Sequence, residues 1–166
     1  MKKLVCVLLL FFMTGMMFAR TVFIYIEETC NGEKGEFLSD ARDGIFEVLF
    51  DQGHIVFDNG KEGIDNDIIT RENLSSVIFT AQHGGAEYLI AVSIASEKEE
   101  LPGKKFRIYS TGEYFVFNVD SGELLFKGTA EFSNKGRESD ISLKQCGLFL
   151  GRDIAEKSIP VIVSGK

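Results

Sequence analysis

Residues Glu87 to Ser96 read EYLIAVSIAS, an apolar run broken only by Glu87, Ser93 and Ser96. A strand with one wet face alternates polar and apolar side chains, whereas a strand covered on both faces is apolar almost throughout. The run predicts a central strand with other elements packed on both of its sides.

Upstream, Thr21 to Ile26 (TVFIYI) is β-branched and aromatic and reads as another buried strand. The loop from Glu27 to Glu36 carries the turn residues Asn31, Gly32 and Gly35. Phe37, Leu38, Ala41, Ile45, Val48 and Leu49 then recur at three- and four-residue steps, with Asp40, Arg42, Asp43 and Glu47 on the other side. That spacing predicts an amphipathic helix ending near Gly53. His54 to Phe57 is a short strand, followed by an acidic, glycine-containing loop over 58–67. A second helix is expected from about Arg71 to Gln82, with Thr70 as N-cap, Leu74, Val77, Ile78 and Ala81 facing inward, and Gly84-Gly85 as its stop.

Downstream, Glu97 to Glu100 and Pro102-Gly103 read as a solvated loop. Tyr114 to Val119 alternates, Asp120-Ser121-Gly122 turns with Gly122 at positive φ, and the return strand sets Leu124, Phe126, Ala130 and Phe132 on one face. Leu143, Cys146, Leu150 and Ile154 line a final helix, which Pro160 should halt, leaving Val161-Ile162-Val163 as an edge strand or tail. The expected fold is α+β (mixed α/β): a mixed β-sheet with helices packed on it, in the order β-α-β-α-β-β-β-α.

The first nineteen residues have a different character. Lys2 and Lys3 precede the apolar run Leu4 to Met13, and Met17-Phe18-Ala19 offers a cleavage site. Those are the parts of a secretory signal, and the run is shorter than the roughly 20 residues that span a bilayer. We expect a signal over 1–19, with a retained membrane anchor as the alternative, and one globular domain over 20–166. Cys6 lies within the apolar run rather than after a small-residue box, so no lipoprotein signal is read.

Removing Lys2 and Lys3 takes Lys+Arg from 18 to 16 against 25 Asp+Glu, so the net charge falls from −7 to −9. So acidic a body argues against nucleic acid and anionic lipid as partners. Cys30 and Cys146 remain, a candidate disulfide outside the cytoplasm. A bridge closing so long a loop contributes about 4 kcal/mol in the chain-entropy account. The other reading is two buried thiols whose Cα atoms never come within the roughly 7 Å a bridge needs.

Chemistry is sparse. His54 and His83 are the two histidines, and neither falls in a zinc, nucleophile-elbow or phosphate-loop motif. His83 reads as a helix-end cation and His54 as a partly exposed edge residue. Asp58, Asn59, Glu62, Asp65, Asn66 and Asp67 offer oxygen ligands, but Gly60 stands where an EF-hand loop places one. Tyr114, Phe115 and Phe117 alternate across a sheet and read as packing rather than a ligand platform. No catalytic residue, cofactor or metal ligand is assigned.

With these residues in view the layout resembles the fold shared by the TolB amino-terminal domain, the curli-secretion protein CsgG, the flagellar protein FlgO and the penicillin-binding-protein activator LpoB. The segment Gly85-Ala86-Glu87-Tyr88-Leu89-Ile90 is similar to that group's Gly-Ala-Asp-Tyr-Leu-Ile strand. Val119-Asp120-Ser121-Gly122-Glu123-Leu124-Leu125 is similar to its Val-Asp-x-x-Thr-Gly-Glu-Val-Leu hairpin. A lipid-bearing cysteine and a long transmembrane insertion, found in some members, are missing. The resemblance implies a non-enzymatic periplasmic module that docks on a larger envelope machine, through sheet edges or uncovered sheet faces. The alternatives are a small-ligand or metal-binding protein or enzyme with a scattered site near 58–67, and a self-associating structural subunit.

Overall fold

The computed structural model describes residues 19–35, 37–58, 71–103 and 105–165. Residues 1–18 of the expected signal, the N-cap candidate Thr70 and the acidic loop beyond Asp58 lie outside them. The elements are β1 (Thr21–Cys30), β2 (Glu33–Lys34), α1 (Leu38–Asp51), β3 (Ile55–Asp58), α2 (Arg71–His83), β4 (Tyr88–Leu101), β5 (Lys105–Asn118), β6 (Leu124–Ser133) and α3 (Leu143–Ser164). The fold is α+β with a mixed sheet, as the patterning predicts. The two-residue β2, inside what reads as a loop, is an addition.

The sheet runs β2-β1-β4-β5-β6, and β3 pairs with β1. Strand β4 lies parallel to β1 from Val22↔Tyr88 to Cys30↔Ser96. The opposite edge of β1 holds parallel β3 at Thr21–Ile24 and antiparallel β2 at Thr29–Cys30. Going from β1 to β3 and then back across β1 to β4 reverses the direction of winding. With the right-handed crossovers that twisted strands favour, such a reversal puts α1 and α2 on opposite faces, where the two core clusters lie. Two cores result. Val22, Ile24, Ile90, Val92 and Val116 pack under α1 and α3. Phe23, Leu89, Ala91, Phe117 and Val119 pack under α2. Strand β4 is therefore buried on both faces along its first half, which is why it reads apolar without alternation.

Helices α1 and α3 touch backbone to backbone. A Cβ on Gly44 would meet the Leu148 carbonyl oxygen at 2.5 Å, one on Gly147 the Asp40 Cβ at 2.8 Å, and one on Gly151 would collide with the Ala41 carbonyl. Arg152 clamps the seam with a bidentate pair to Glu47, at 2.7 and 2.8 Å. Helix α1 has no side-chain cap of its own at Phe37. Instead the buried Glu28 of β1 accepts from the Phe37 N–H at 3.2 Å, a carboxylate at the positive end of a helix dipole. Gly35 makes this possible, since any Cβ there would occupy the place of the Glu28 carboxyl.

Three expectations are corrected. Glu97–Glu100 is not a loop but the extension of β4, paired to Phe106–Tyr109 of β5. Cross-strand Arg107–Glu99 at 3.0 Å and the Asn31 side chain, which brackets the Lys98 N–H and C=O, hold a sequence of low strand propensity. Pro160 does not halt α3, which runs on to Ser164 and ends at Gly165 with φ 66. A helical proline costs about 3 kcal/mol, and burying Ile162 with half-buried Ile159 and Val161 offsets that at roughly 1.5–3 kcal/mol for a fully buried side chain. Finally, a bulge opposite Val116/Phe117 skips Leu125, so Leu124 and Phe126 fall on opposite faces and both are exposed.

Gly151→Ala should destabilise the protein by about 1–3 kcal/mol in urea unfolding, because the added methyl must force the helices apart. In an open helix the same change stabilises by up to about 1 kcal/mol, so even the sign tests the seam. Glu28→Ala should cost about 1–3 kcal/mol by uncapping α1.

Candidate functional site

A sheet that reverses its winding leaves a crevice outside the carboxyl ends of the strands at the reversal, and ligands tend to bind there. Here the reversal lies between β1 and β4, whereas a depression lies at the end of the outer strand β3. Asp58, Arg42, Asp43 and Phe46 line it, and it is shallow and open. The amphipathic spacing of α1 delivers Arg42 and Phe46 to one side, and Asp58 closes the other as the last residue of β3. Arg42 Nη1 and Asp58 Oδ2 are 3.0 Å apart, with 27% and 19% of the two side chains exposed. The first carboxylate of the acidic 58–67 stretch is therefore already engaged by a guanidinium. A cation entering beside Asp58 has to compete with Arg42, and an anion approaching Arg42 has to compete with Asp58. Among the described residues, no group of three or more His, Cys, Asp or Glu side chains is placed to hold a metal ion.

A second polar cluster sits at the opposite end of the same strands. His54 is buried, 3% exposed, where an exposed edge residue is expected from the sequence. Its Nδ1 accepts from the Arg20 N–H at 3.2 Å, and its own N–H donates to Leu49 O at 3.1 Å. Arg20 in turn pairs with Glu87 at 2.7 Å and lies over the Tyr88 ring at 5.9 Å. Burial pushes the His54 pKa below its ordinary value, the Arg20 charge adds to the shift, and Glu87 opposes it. No sequence motif marks this cluster. Position alone gives a hint, because His54 and Glu87 each stand just before a strand.

The remaining candidates are structural. His83 Nδ1–H donates to Phe79 O at 2.9 Å in the last turn of α2, in line with its expected place at a helix end. Tyr114 is buried under α3 and lies over Gly128, and burial raises its pKa. Phe115 and Phe117 stack on each other on the α2 face at 6.4 Å. Both are packing, not a platform. Cys30, half-buried at the end of β1, and Cys146, buried in the first turn of α3, are not bridged to each other. The Cys146 thiol donates to Ser142 O at 3.2 Å, and burial pushes its pKa up to about 11. Among the described residues, no helix is long and apolar enough to cross a membrane.

Neither a protein-family model nor a curated protein matches the chain. Its fold nevertheless recurs in solved structures. A PelC dodecamer from Paraburkholderia phytofirmans superposes with a TM-score of 0.53 at 13% identity, over 87% of this chain and 89% of PelC. The lipoprotein GNA1162 from Neisseria meningitidis gives 0.53 at 10% identity, over 85% of this chain and 99% of its own. The hypothetical protein CT253 from Chlamydia trachomatis gives 0.54 at 11% identity, over 89% and 99%. At these identities the likeness is one of fold.

Thiol labelling of the native protein at mildly alkaline pH should modify Cys30 well before Cys146, because the reactive species is the thiolate and burial suppresses it at Cys146. Mass spectrometry of the two peptides reads the order. Equal rates would contradict the burial of Cys146.

Proposed function

We propose that this protein is a non-enzymatic accessory module of the cell envelope, exported by residues 1–19 and acting through protein–protein contact from a domain over 20–166. The observation that carries the reading is where the polar and apolar groups lie. The depression at the end of β3 is lined by a mutually neutralising Arg42–Asp58 pair. Large apolar side chains meanwhile face solvent, among them Phe50 at 72%, Ile55 at 60% and Phe79 at 59% exposure. Exposed apolar surface suits contact with another protein better than it suits chemistry. The fold likeness to a lipoprotein supports an envelope location, and the PelC dodecamer makes contact between copies one form such docking takes. The resemblance to the CsgG, FlgO and LpoB group points to a secretion, flagellar or peptidoglycan-synthesis machine as the site of docking.

A ligand-binding role at the β3 end is the second reading, favoured by the two opposite charges of Arg42 and Asp58 facing one depression. Calcium and inorganic phosphate are the probes that decide it, since binding to the native state alone raises the melting temperature by mass action.

Fractionation separates the first reading from a cytoplasmic role. The full chain is expected in the envelope or periplasmic fraction, and deletion of Leu4 to Met13 should hold it in the cytoplasm. Finding both forms in the cytoplasm would sink the proposal. A rise in melting temperature with calcium or phosphate that Asp58→Asn or Arg42→Gln abolishes would favour the second reading instead.

A further inference from the structure

The entry to β1 is fastened on its β3 side through one titratable side chain, and on its β4 side by Glu87. Arg20 donates its N–H to His54 Nδ1, and its C=O accepts the Ile55 N–H at 2.9 Å, which is the first rung between the start of β1 and β3. Both bonds require Arg20 to lie against the buried imidazole. Accepting through Nδ1 fixes the neutral tautomer with its proton on Nε2, and Nε2 has no hydrogen-bond partner among the described residues. A second proton on the ring has to go to Nδ1. There it faces the Arg20 N–H, so an acceptor is replaced by a donor opposite a donor.

Charge works in the same direction. The charged groups that act on the ring are Arg20, from the lead into β1, and Glu87, from the lead into β4. Glu87 already carries the Arg20 guanidinium on Oε2 and accepts from the Thr21 N–H at 3.3 Å on Oε1. From α1 the Leu49 carbonyl accepts the His54 backbone N–H, and Asp51 at the end of that helix is exposed. On β3 itself the one ionisable side chain is Asp58, held by Arg42. An imidazolium at this place therefore stands beside a guanidinium, with a single carboxylate shared between them.

We propose that His54 is a pH-sensitive catch on the first strand: on taking up a proton it releases Arg20 and the Ile55 rung, opening the entry of β1 while the rest of the sheet stays folded. The opening is local because from Val22 onward β1 is held on both sides, by β3 and by β4, with Val22, Phe23 and Ile24 buried. It occurs at the lead into β1, ahead of the residues that β3 and β4 hold on both sides. Neither the accessory reading nor the ligand reading is needed for this.

Hydrogen exchange on the full chain, in which the Arg20 N–H is an amide, tests the catch. Below the ordinary histidine pKa of about 6.5, and while the folded ring is still neutral, the opening constant should rise tenfold per pH unit, because one proton is taken up. The Ile55 amide should lose protection by that factor after correction for intrinsic rates, while amides of β4 from Leu89 to Val92 keep theirs. His54→Asn keeps an acceptor near the Nδ1 position without a titrating ring, so its Ile55 protection should be flat with pH. Should that variant not fold, nuclear magnetic resonance titration of the wild-type His54 ring, followed with the Arg20 and Ile55 amides, reads the same event. Unchanged Ile55 protection, a loss shared equally by β4, the same loss in His54→Asn, or ring titration without movement of the two amides would each overturn the proposal.

Discussion

The pairing of β1 with β4 is the constraint from which the rest of the structure follows. From Val22↔Tyr88 to Cys30↔Ser96 the two strands run parallel, and parallel neighbours cannot be joined by a tight turn. The chain has to leave β1, cross a face of the sheet and return. It does so twice, through α1 and β3 and then through α2. Since β3 and β4 lie on opposite sides of β1, the two crossings bury opposite faces, and each face acquires its own core. A slip of one residue in this register would exchange the two apolar sets, so the two-sided burial itself fixes the alignment.

On one face the demand for close packing falls on backbone rather than side chains. Gly44, Gly147 and Gly151 let α1 and α3 approach until carbonyls fill the space a Cβ would take, and Gly112 of β5 admits Ile154 of α3 at 3.1 Å from where its Cβ would be. Each glycine in a helix carries an entropic cost of up to about 1 kcal/mol. The gain is that α3 lies low enough to cover β5 and β6 together with α1. Fixing α1 in turn depends on Glu28, whose carboxylate reaches from β1 to the Phe37 N–H. Strand, helix cap and helix seam are thus coupled, and a change at Gly35, Glu28 or Gly151 should be felt across the same core.

Polar groups follow the same economy. At the two ends of β1 and β3, charges are matched locally: Arg42 with Asp58 at one end, Arg20 with Glu87 at the other. Buried hydroxyls pair as well, Ser96 with Ser110 at 2.9 Å, and Asn134 satisfies both Ile108 N–H and Phe106 C=O where β6 gives out. His54 is the exception, a buried base held by a single backbone donor, and for that reason it is the group through which pH reaches the fold.

The sequence by itself determined the layers. Glu87 to Ser96 announces a strand buried on both faces, the steps from Phe37 to Leu49 announce the helix beside it, and Gly122 marks the hairpin turn, where it takes φ 68. These are local signals, written in period and in turn chemistry. Only the tertiary structure decided the matters that depend on a distant partner. Pro160 stays helical because Ile162 finds a core, Glu97 to Glu100 is a strand because Arg107 and Asn31 hold it, and Leu124 faces solvent because a bulge shifts the pleat. His54 is buried because Arg20 and Glu87, far away in sequence, close over it, and Arg42 meets Asp58 only once α1 lies on β3. Burial and pairing of charge are properties of approach between segments, and no window of neighbouring residues contains them.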